Sequence, residues 1–240
     1  MVVEFFTNPV LLFLFGSVIG SFLNVVILRH LSGEGLNGRS HCVHCGHVLT
    51  WYELLPIISF IIQRGRCRKC NRAISPQYPI VELFSGVAAV LLWPSITLFA
   101  IFSILLILFV IDFRSYLLPD FFILLLSVAV LLTGAVSLSG LLIGSGFLLF
   151  LWAVTAGEGI GFGDVKLMIP IGLLFGPTST ILVLAFAFIL GGAFGAYLLI
   201  TKQATRKTAI AFGPYLAGVA MAFLLFPTVV TALQNFFLVV

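Results

Sequence analysis

Charged side chains are scarce in this sequence. Asp, Glu, Lys and Arg together make up 8% of its 240 residues, whereas 61% of the residues are hydrophobic. A water-soluble domain carries about a quarter charged residues, so this composition excludes that class and favours the bilayer as solvent. The apolar runs are continuous rather than alternating, which favours helices, because lipid offers no water to backbone N–H and C=O groups. The sequence therefore predicts an all-α polytopic membrane protein.

Apolar runs of roughly 15 to 25 residues, long enough to cross about 30 Å of hydrocarbon, recur along the chain. They predict about eight transmembrane helices, at about 9–29, 78–93, 95–112, 120–136, 139–156, 164–176, 179–200 and 210–233. The sixth run is the shortest. No small-residue cleavage site follows the first run, which predicts a retained helix rather than a removed signal peptide.

Positive charge is missing from every second connection between these helices. The connections near "WPS", "AVSLSG" and "GPTS" contain no Lys or Arg. The 12 basic residues lie in or beside the loops after the first, third, fifth and seventh helices: Arg29, Arg39, Arg64, Arg66, Arg68, Lys69, Arg72, Arg114, Lys166, Lys202, Arg206 and Lys207. Because Lys and Arg concentrate in cytoplasmic loops, these loops are predicted to be cytoplasmic and both termini to lie on the opposite side. The net charge of +4 therefore reflects topology and predicts no nucleic-acid partner.

Cysteine is absent everywhere except in residues 30–77, the one sizeable segment between predicted spans. Its four cysteines form two C-x-x-C pairs, Cys42 with Cys45 and Cys67 with Cys70, separated by 21 residues. This spacing is typical of a closed, structural four-thiolate zinc site. Two disulfides are the alternative, but the charge pattern places the segment in the reducing cytosol, where disulfides rarely persist. Three nearby histidines are predicted to be polar loop residues rather than ligands: His41, His44 and His47.

Acidic residues are also few, and three of the eight lie at the ends of predicted spans: Asp112, Asp120 and Asp164. Asp112 closes the third helix in "LLILFVIDFRSYLLPD", and Asp164 opens the sixth in "GEGIGFGDVKLM". An ionisable group at membrane depth is costly and points to function. The third helix runs towards the cytoplasm and the sixth runs away from it, so both carboxylates are expected near the cytoplasmic boundary. Asp120, which follows Pro119, is predicted to cap the next helix rather than to catalyse.

Two close carboxylates can share a proton, so that one activates water and the other donates a hydrogen bond to a scissile carbonyl. Asp112 and Asp164 are therefore predicted to form an aspartyl dyad that needs no metal. Gly161 and Gly163 would let a peptide approach the dyad and would permit positive φ. Lys166 is placed beside them as a substrate-facing residue that snorkels or balances acidic charge rather than acting as a base. The alternatives are a plain turn for the glycines and a helix N-cap for Asp164.

Two other classes of membrane protein share some of these features. A small ion- or proton-coupled transporter would use Asp112 and Asp164 as relays. Such a transporter would place acids deeper in the membrane and would show internal repeat symmetry, and the sequence shows neither. A non-catalytic scaffold would dock partners through the cysteine segment, but it does not require two aspartates at one depth.

Six blocks occur in order along the chain: "GSVIGSFLNVVILR", "CVHCGHVLTWYELLPIISFIIQRGRCRKC", "RAISPQYPIVEL", "IDFRSYLLPD", "GEGIGFGDVKLM" and "AFGPYLAGVA". Together they resemble the type IV prepilin peptidases, the leader peptidase/N-methyltransferases of the GxGD group of membrane aspartyl proteases. The resemblance covers nearly the whole chain and implies that Asp112 and Asp164 are catalytic. Presenilin-like proteases share GxGD but normally carry a later Pro-Ala-Leu element, which this chain lacks.

The resemblance implies a multi-pass protein of the bacterial inner membrane that cuts prepilins or pseudopilins after a glycine at the cytoplasmic boundary. Bifunctional members then methylate the new N-terminal residue with S-adenosylmethionine, and a cysteine loop is their hallmark. Residues 1–94 would form a helix pair with the methyltransferase part, and residues 95–240 a six-helix protease core. The oligomeric state is left open.

The methyl-donor site cannot be placed by a glycine-rich methyltransferase motif, because the sequence contains none. Glu82, in "YPIVEL" at the start of the second predicted helix, is the candidate contact for the donor. Its alternative is a boundary residue that pairs with Arg72 or Arg68.

Overall fold

A computed structural model describes residues 8–203, 205 and 211–238. Its regular structure in those residues is helical, without a named strand. The chain divides into two compact units, Met1–Phe99 and Ala100–Val240. Three features of the sequence predictions lie outside the described residues: Arg206, Lys207 and the start of the last helix at residue 210.

The first unit contains the helices α1, α2 and α3, a short 3-10 helix η1 and the start of α4. Their bounds are Pro9–Ser32 for α1, Trp51–Glu53 for η1, Ile58–Ile62 for α2, Gln77–Leu92 for α3 and Ile96–Ser115 for α4. The second unit contains the rest of α4 and the helices α5 to α9. Their bounds are Asp120–Leu131 for α5, Leu138–Val154 for α6, Phe162–Ile200 for α7, Gly213–Leu225 for α8 and Pro227–Leu238 for α9.

Small residues let α1 and α3 pack backbone against backbone. A Cβ on Gly16 would lie 2.5 Å from both the Ala89 Cβ and the Ser85 carbonyl oxygen, and one on Gly20 would lie 2.8 Å from the Glu82 Cα. Gly16 and Gly20 are four residues apart and so share one helix face. This is the small-residue spacing by which helices associate in lipid, where no hydrophobic force drives them together.

The long helix α7 contains a chain reversal at Gly176, whose φ of 72° and ψ of 179° are not helical, and Pro177 follows it. A Cβ on Gly144 of α6 would lie 2.9 Å from the Met168 Cε and 2.7 Å from the Thr180 Cγ2. A straight helix would hold residues 168 and 180 about 18 Å apart, so the two halves of α7 run side by side. The predicted break between the sixth and seventh helices at "GPTS" is therefore confirmed.

The single helix predicted at 210–233 is wrong. Its residues form α8 and α9, which meet at an angle of 103°. Phe226, between them, has a φ of −126° and a ψ of 60°. The residue before a proline is pushed away from helical geometry, and Pro227 therefore ends α8 within an otherwise apolar run.

Within the described ranges, three helices are long and apolar enough to cross a membrane: α1, α4 and α7, with mean hydropathies of 2.4, 2.8 and 2.3. The bent pair of α8 and α9 would make a fourth if it counts as one span, and α3, α5 and α6 are shorter apolar helices. These helices support the multi-pass membrane class. The count of eight crossings stays a prediction.

Candidate active site and cysteine cluster

The two aspartates selected from the sequence meet in the second unit. Asp112 lies in the last turn of α4 and is 4% exposed, and Asp164 is the third residue of α7 and is 6% exposed. Gly213, the first residue of α8, lies between them. A Cβ on Gly213 would collide with the Asp112 Oδ2 and would lie 3.1 Å from the Asp164 Oδ1. The structure therefore brings both carboxylates to one point at the N-terminus of α8.

Backbone N–H groups contact this pair of carboxylates. In the part of the chain that the structure describes, no Lys, Arg or His forms an ion pair with Asp112 or Asp164. The backbone N–H of Gly213 interacts with the Asp112 carboxylate, the N–H of Gly161 interacts with the Asp164 carboxylate, and the two carboxylates interact electrostatically with each other. Two neighbouring carboxylates without a cation hold one proton between them more easily than none.

The glycines before Asp164 serve close packing. Gly161 is the N-cap of α7 with a φ of −69°, so it does not use the positive φ that a glycine permits. A Cβ on Gly161 would lie 3.3 Å from the Asp164 Oδ2, and one on Gly163 would lie 3.2 Å from the Leu118 Cβ. Gly161 itself is exposed, whereas Asp164 is buried. The N-cap alternative for Asp164 is wrong, because Asp164 lies inside the helix.

Asp120 and Lys166 form an ion pair on the surface, away from the buried carboxylates. The Lys166 Nζ lies 2.8 and 2.9 Å from the two carboxylate oxygens of Asp120, and it also lies 5.3 Å from the centroid of the Phe162 ring. The N-cap of α5 is Pro119 and no side chain caps this helix, so the predicted capping bond of Asp120 is wrong. Asp120 does lie in the first turn of α5, where a carboxylate favours the helix dipole as predicted. Lys166 balances acidic charge as predicted, and its contact with substrate stays a prediction.

The four cysteines of the first unit converge on one centre. All are free thiols, and their Sγ atoms lie within 4.8 Å of one another. Cys42 and Cys70 have Sγ atoms 3.9 Å apart. Thiolates about 2.3 Å from a tetrahedral zinc ion are about 3.8 Å apart, whereas a disulfide is about 2.05 Å long. The cluster therefore has the dimensions of a metal site and not of two disulfides.

The two halves of this cluster repeat the same backbone bonds. The N–H of Cys42 donates to the His47 carbonyl at 2.8 Å, and the N–H of Cys67 donates to the Arg72 carbonyl at 2.9 Å. A short antiparallel bridge closes each half, and a left-handed residue follows each second cysteine: the bridges are His41–Val48 and Arg66–Ala73, and the left-handed residues are Gly46 and Asn71. The repeat distance of 25 residues was present in the sequence as "HCVHCGHV" and "RCRKCNRA" but is easily missed, because only the cysteines are identical.

The surroundings of the cluster favour the thiolate form of one cysteine, Cys67. Backbone N–H groups of Cys70 and Lys69 lower the pKa of the Cys67 thiol to about 6. Backbone N–H groups that point at sulfur are the usual support of a thiolate ligand.

The histidines beside the cluster bind other partners, as predicted for polar loop residues. His47 Nε2 lies 3.4 Å from the Glu53 carboxylate, and His44 lies 3.4 Å from Arg72. Glu53 is buried and accepts hydrogen bonds from the backbone N–H and the hydroxyl of Thr50, at 2.9 and 2.8 Å. The N–H of Thr50, followed by its hydroxyl and His47, lowers the pKa of Glu53 below its usual range despite burial.

Glu82 is buried near the start of α3 and accepts a hydrogen bond of 2.7 Å from the backbone N–H of Ile57. Ile57 has a φ of 61°, which is rare and strained for a β-branched residue. Within the described residues Glu82 forms no ion pair with Arg72 or Arg68. The alternative interpretation, a boundary residue paired with one of these arginines, is therefore wrong about the pairing. The predicted contact with a methyl donor stays a prediction.

Two residues beside the dyad were not singled out from the sequence: Gly213 and Leu118. The Leu118 Cδ1 lies 3.1 Å from the position of a Cβ on Gly213, so this side chain covers the same point as the carboxylates. The sequence offered only local clues to these two residues. Gly213 precedes a proline at the start of an apolar run, and Leu118 lies in the short segment between two predicted helices.

The protein is helical and apolar, and it has two buried aspartates at one point and a separate four-cysteine cluster. These features define the class of multi-pass membrane proteins with a paired-carboxylate centre. Comparison with known families is more specific. Residues 14–96 match the bacterial peptidase A24 N-terminal domain, and residues 99–196 match the type IV leader peptidase family. The chain belongs to the type IV leader peptidase family. No solved structure matches it.

Curated relatives resemble the chain over most of its length. A protein of Aeromonas hydrophila is 34% identical over 86% of this chain and 87% of its own. Proteins of Burkholderia pseudomallei and Bacillus subtilis are each 33% identical over 89% of this chain, and over 84% and 93% of their own lengths. Each of the three is named a prepilin leader peptidase/N-methyltransferase.

Proposed function

We propose that this protein is a membrane aspartyl endopeptidase that removes the basic leader of type IV prepilins or pseudopilins. It cuts after a glycine at the cytoplasmic boundary and then methylates the new N-terminal residue with S-adenosylmethionine. The observation that carries the peptidase proposal is the meeting of Asp112 and Asp164 at Gly213. The relatives that share most of the chain carry both activities in their name, which supports the second step.

Peptide hydrolysis follows from one shared proton. The ionised carboxylate of the Asp112–Asp164 pair accepts a proton from water, and the protonated carboxylate donates a hydrogen bond to the scissile carbonyl. The water oxygen attacks the carbonyl carbon, and the proton taken from water is then delivered to the leaving amine. Gly161 is exposed, and a Cβ there would lie 3.3 Å from the Asp164 Oδ2, so we place the extended peptide against Gly161 and Gly163, with Lys166 at the outer edge of this path.

The proposed topology is that of a multi-pass inner-membrane protein with eight crossings. The two halves of α7 count as separate crossings because the chain reverses at Gly176. Asp112 near the end of α4 and Asp164 near the start of α7 then lie at the same, cytoplasmic boundary. The positive charges near the ends of α1, α4 and α7 support this orientation.

The cysteine cluster is proposed to hold one structural zinc ion. Cys42, Cys45, Cys67 and Cys70 supply four sulfurs with the spacing of a tetrahedral site, and a four-thiolate site has no open position for catalysis. The ion would therefore stabilise residues 30–77, a segment too small to build its own apolar core. No metal is assigned to the peptidase site.

Methyl transfer is assigned to residues 1–94. S-adenosylmethionine, when bound, supplies an electrophilic methyl group. Glu82 is the proposed contact for this donor: its buried carboxylate already accepts from Ile57, and a carboxylate has lone pairs for further donors such as hydroxyl or ammonium groups. Holding the amine in line with the methyl group is the contribution expected of the protein.

The test is incubation of the purified protein with a prepilin, followed by mass spectrometry of the product N-terminus. We expect a product that begins after the leader glycine and carries one added methyl group when S-adenosylmethionine is present. Asp112→Asn and Asp164→Asn should each abolish cleavage while membrane insertion is kept, whereas Asp120→Asn should keep substantial activity. Normal cleavage by Asp112→Asn would show that the proposed pair is wrong.

A further inference from the structure

An exposed apolar surface lies in the cysteine segment. Ile58, Ile61 and Ile62 share one face of α2, and the adjoining turn adds Leu54, Leu55 and Trp51; these six residues are called the interface ridge. Trp51, Ile61 and Ile62 are 75%, 67% and 64% exposed. The ridge lies between the apolar helices α1 and α3 in sequence, yet no helix of its own unit covers it.

The opposite face of α2 packs on the segment that leads to the cysteine cluster. A Cβ on Gly65 would lie 3.1 Å from the Phe60 ring, so Phe60 packs on this glycine. The N–H of Gly65 donates to the Phe60 carbonyl at 2.9 Å, and the Gly65 carbonyl accepts from Ile74 at 2.7 Å. Exposure of the ridge is therefore a property of an ordered helix with one face packed and one face free.

Positive charge lies directly after the ridge. Five exposed basic residues form the basic cluster: Arg64, Arg66, Arg68, Lys69 and Arg72. A shallow cavity of about 580 Å³ in this region is lined partly by Arg64, Arg66 and Arg68. No acid occurs between Glu53 and Glu82 in the sequence, and both of these are buried with backbone N–H partners. Among the residues that the structure describes, no carboxylate forms an ion pair with the basic cluster.

We propose that the interface ridge and the basic cluster together bind the membrane surface, with anionic phospholipid headgroups as the partner. Tryptophan and aliphatic side chains beside Lys and Arg are the combination that inserts into the headgroup boundary of an anionic bilayer. Residues 33–76 are connected at both ends to the apolar helices α1 and α3, so the ridge is always within reach of lipid. The inference is independent of the proposed peptidase chemistry.

Charge complementarity separates this partner from the other candidates. The basic leader of a prepilin would be repelled by the basic cluster. A second copy of the chain offers little acidic surface, because the exposed acids among the described residues are three: Glu34, Asp120 and Glu158. One of these, Asp120, is already paired with Lys166. Lipid phosphates supply the dense negative charge that five clustered cations require.

The test follows Trp51 fluorescence in the full-length protein. Trp93→Phe and Trp152→Phe leave Trp51 as the sole tryptophan, and the protein is placed in nanodiscs of phosphatidylcholine or of an equimolar mixture with phosphatidylglycerol. We expect emission at shorter wavelength than in water, quenching by bromine-labelled acyl chains, and stronger quenching in the mixture. Arg64→Gln with Arg66→Gln should remove the extra quenching, whereas the matched pair Arg114→Gln with Lys202→Gln should keep it.

A second arm tests the apolar part. Ile61→Ser with Ile62→Ser should reduce quenching in both lipids, and the control Leu36→Ser with Val43→Ser, exposed residues of the same segment outside the ridge, should not. Water-like emission without lipid quenching would overturn the proposal. A short-wavelength emission that persists without lipid would also overturn it, because protein would then cover the ridge. An emission shift that requires two copies in one disc would overturn it for the same reason. Prepilin cleavage, measured in parallel, reports the peptidase separately.

Discussion

Gly213 carries no side chain, and this lets the first turn of α8 touch both carboxylates. Its hydrogen occupies the point towards which the Asp112 Oδ2, the Asp164 Oδ1 and a Leu118 methyl group all converge. Proton sharing between two carboxylates depends steeply on their separation, because both the repulsion and the hydrogen bond are short-ranged. The identity of a residue that takes no part in proton transfer therefore decides the geometry of the pair.

Gly213→Ala should reduce kcat/KM for prepilin cleavage by about 100-fold or more, because displacements of about 1 Å at a catalytic group cost this much. Gly218→Ala is the matched control on the same helix, since its Cβ would lie 3.4 Å from the Phe109 ring, an ordinary contact. It should keep near-normal activity. Both variants are checked for monodisperse folding in detergent, and equal activities would contradict the role given to Gly213.

The Asp120–Lys166 pair should contribute little to stability, because its side chains are 72% and 36% exposed and such pairs are worth about 0–1 kcal/mol. The informative measurement is the steady-state kinetics of Lys166→Met and Asp120→Asn. If Lys166 contacts substrate, its variant alone should raise KM. If the pair only joins the first turns of α5 and α7, the two variants should behave alike, and the assignment of Lys166 to the substrate path would then be dropped.

Helix α6 is the element that organises the second unit, since it packs against both halves of α7. A Cβ added to Gly140 would overlap the Gly172 carbonyl oxygen. A Cβ added to Gly144 would lie 2.7 Å from the Thr180 Cγ2 and 2.9 Å from the Met168 Cε. Neither glycine is needed for a turn. Both are needed because two helical segments cross α6 at contact distance.

Gly144→Ala should destabilise the protein by about 1–3 kcal/mol, the usual effect of overpacking a filled interior. Gly146→Ala, two residues away on the same helix, meets open space and should be neutral or stabilising by up to about 1 kcal/mol, because alanine is the better helix former. Thermal unfolding in one detergent compares them. A lower Tm for Gly146→Ala than for Gly144→Ala would refute the packing given for α6.

Helix positions were largely predictable, because continuous apolar runs in lipid leave the backbone few alternatives to a helix. The breaks were predictable only where turn residues interrupt a run, as at Gly176. Pro227 interrupts the last run with only Thr228 as a polar neighbour, so the hydropathy of the run stays high and does not reveal the bend. The role of Asp120 was missed for another reason: its partner Lys166 is remote in sequence, and an ion pair across two helices leaves no local pattern.

The sequence predicted a common membrane depth for the two aspartates, and that depth stays a prediction; it did not predict the point at which they meet. Charge asymmetry placed Asp112 and Asp164 near one boundary. Their meeting point is supplied by α8, whose approach depends on Gly213 and on the packing of α8 rather than on any spacing between the aspartates. The cysteine cluster was predictable in more detail, because its ligand spacing is itself the signature.

At the scale of the whole molecule, the cysteine cluster and the carboxylate pair lie in different compact units. Purified protein should contain about one zinc ion per chain, the stoichiometry of a closed four-thiolate site. Changing the cysteines in pairs to serine should remove this ion and loosen residues 30–77. Methylation should then fall more steeply than cleavage, because helix packing in lipid holds the dyad.

The reciprocal variant completes this test. Asp164→Ala should lose cleavage and keep methylation of a peptide that has already been cut. Elemental analysis gives the zinc content, and mass spectrometry of product N-termini gives both activities. A protein without metal but with disulfides would remove the zinc site, and equal loss of both activities in the cysteine variants would show that the loop supports the peptidase site.

The reversal at Gly176 also has a consequence for the bilayer. The half of α7 that begins at Phe162 and carries Asp164 is only about 21 Å long at 1.5 Å per residue, whereas the hydrocarbon region is about 30 Å thick. If this half crosses the bilayer alone, as the proposed topology requires, local thinning of the membrane would accommodate it. The lipid beside the aspartates would then be drawn inward, and bulk water would reach residues that would otherwise lie below the headgroups, which would supply the second substrate of hydrolysis.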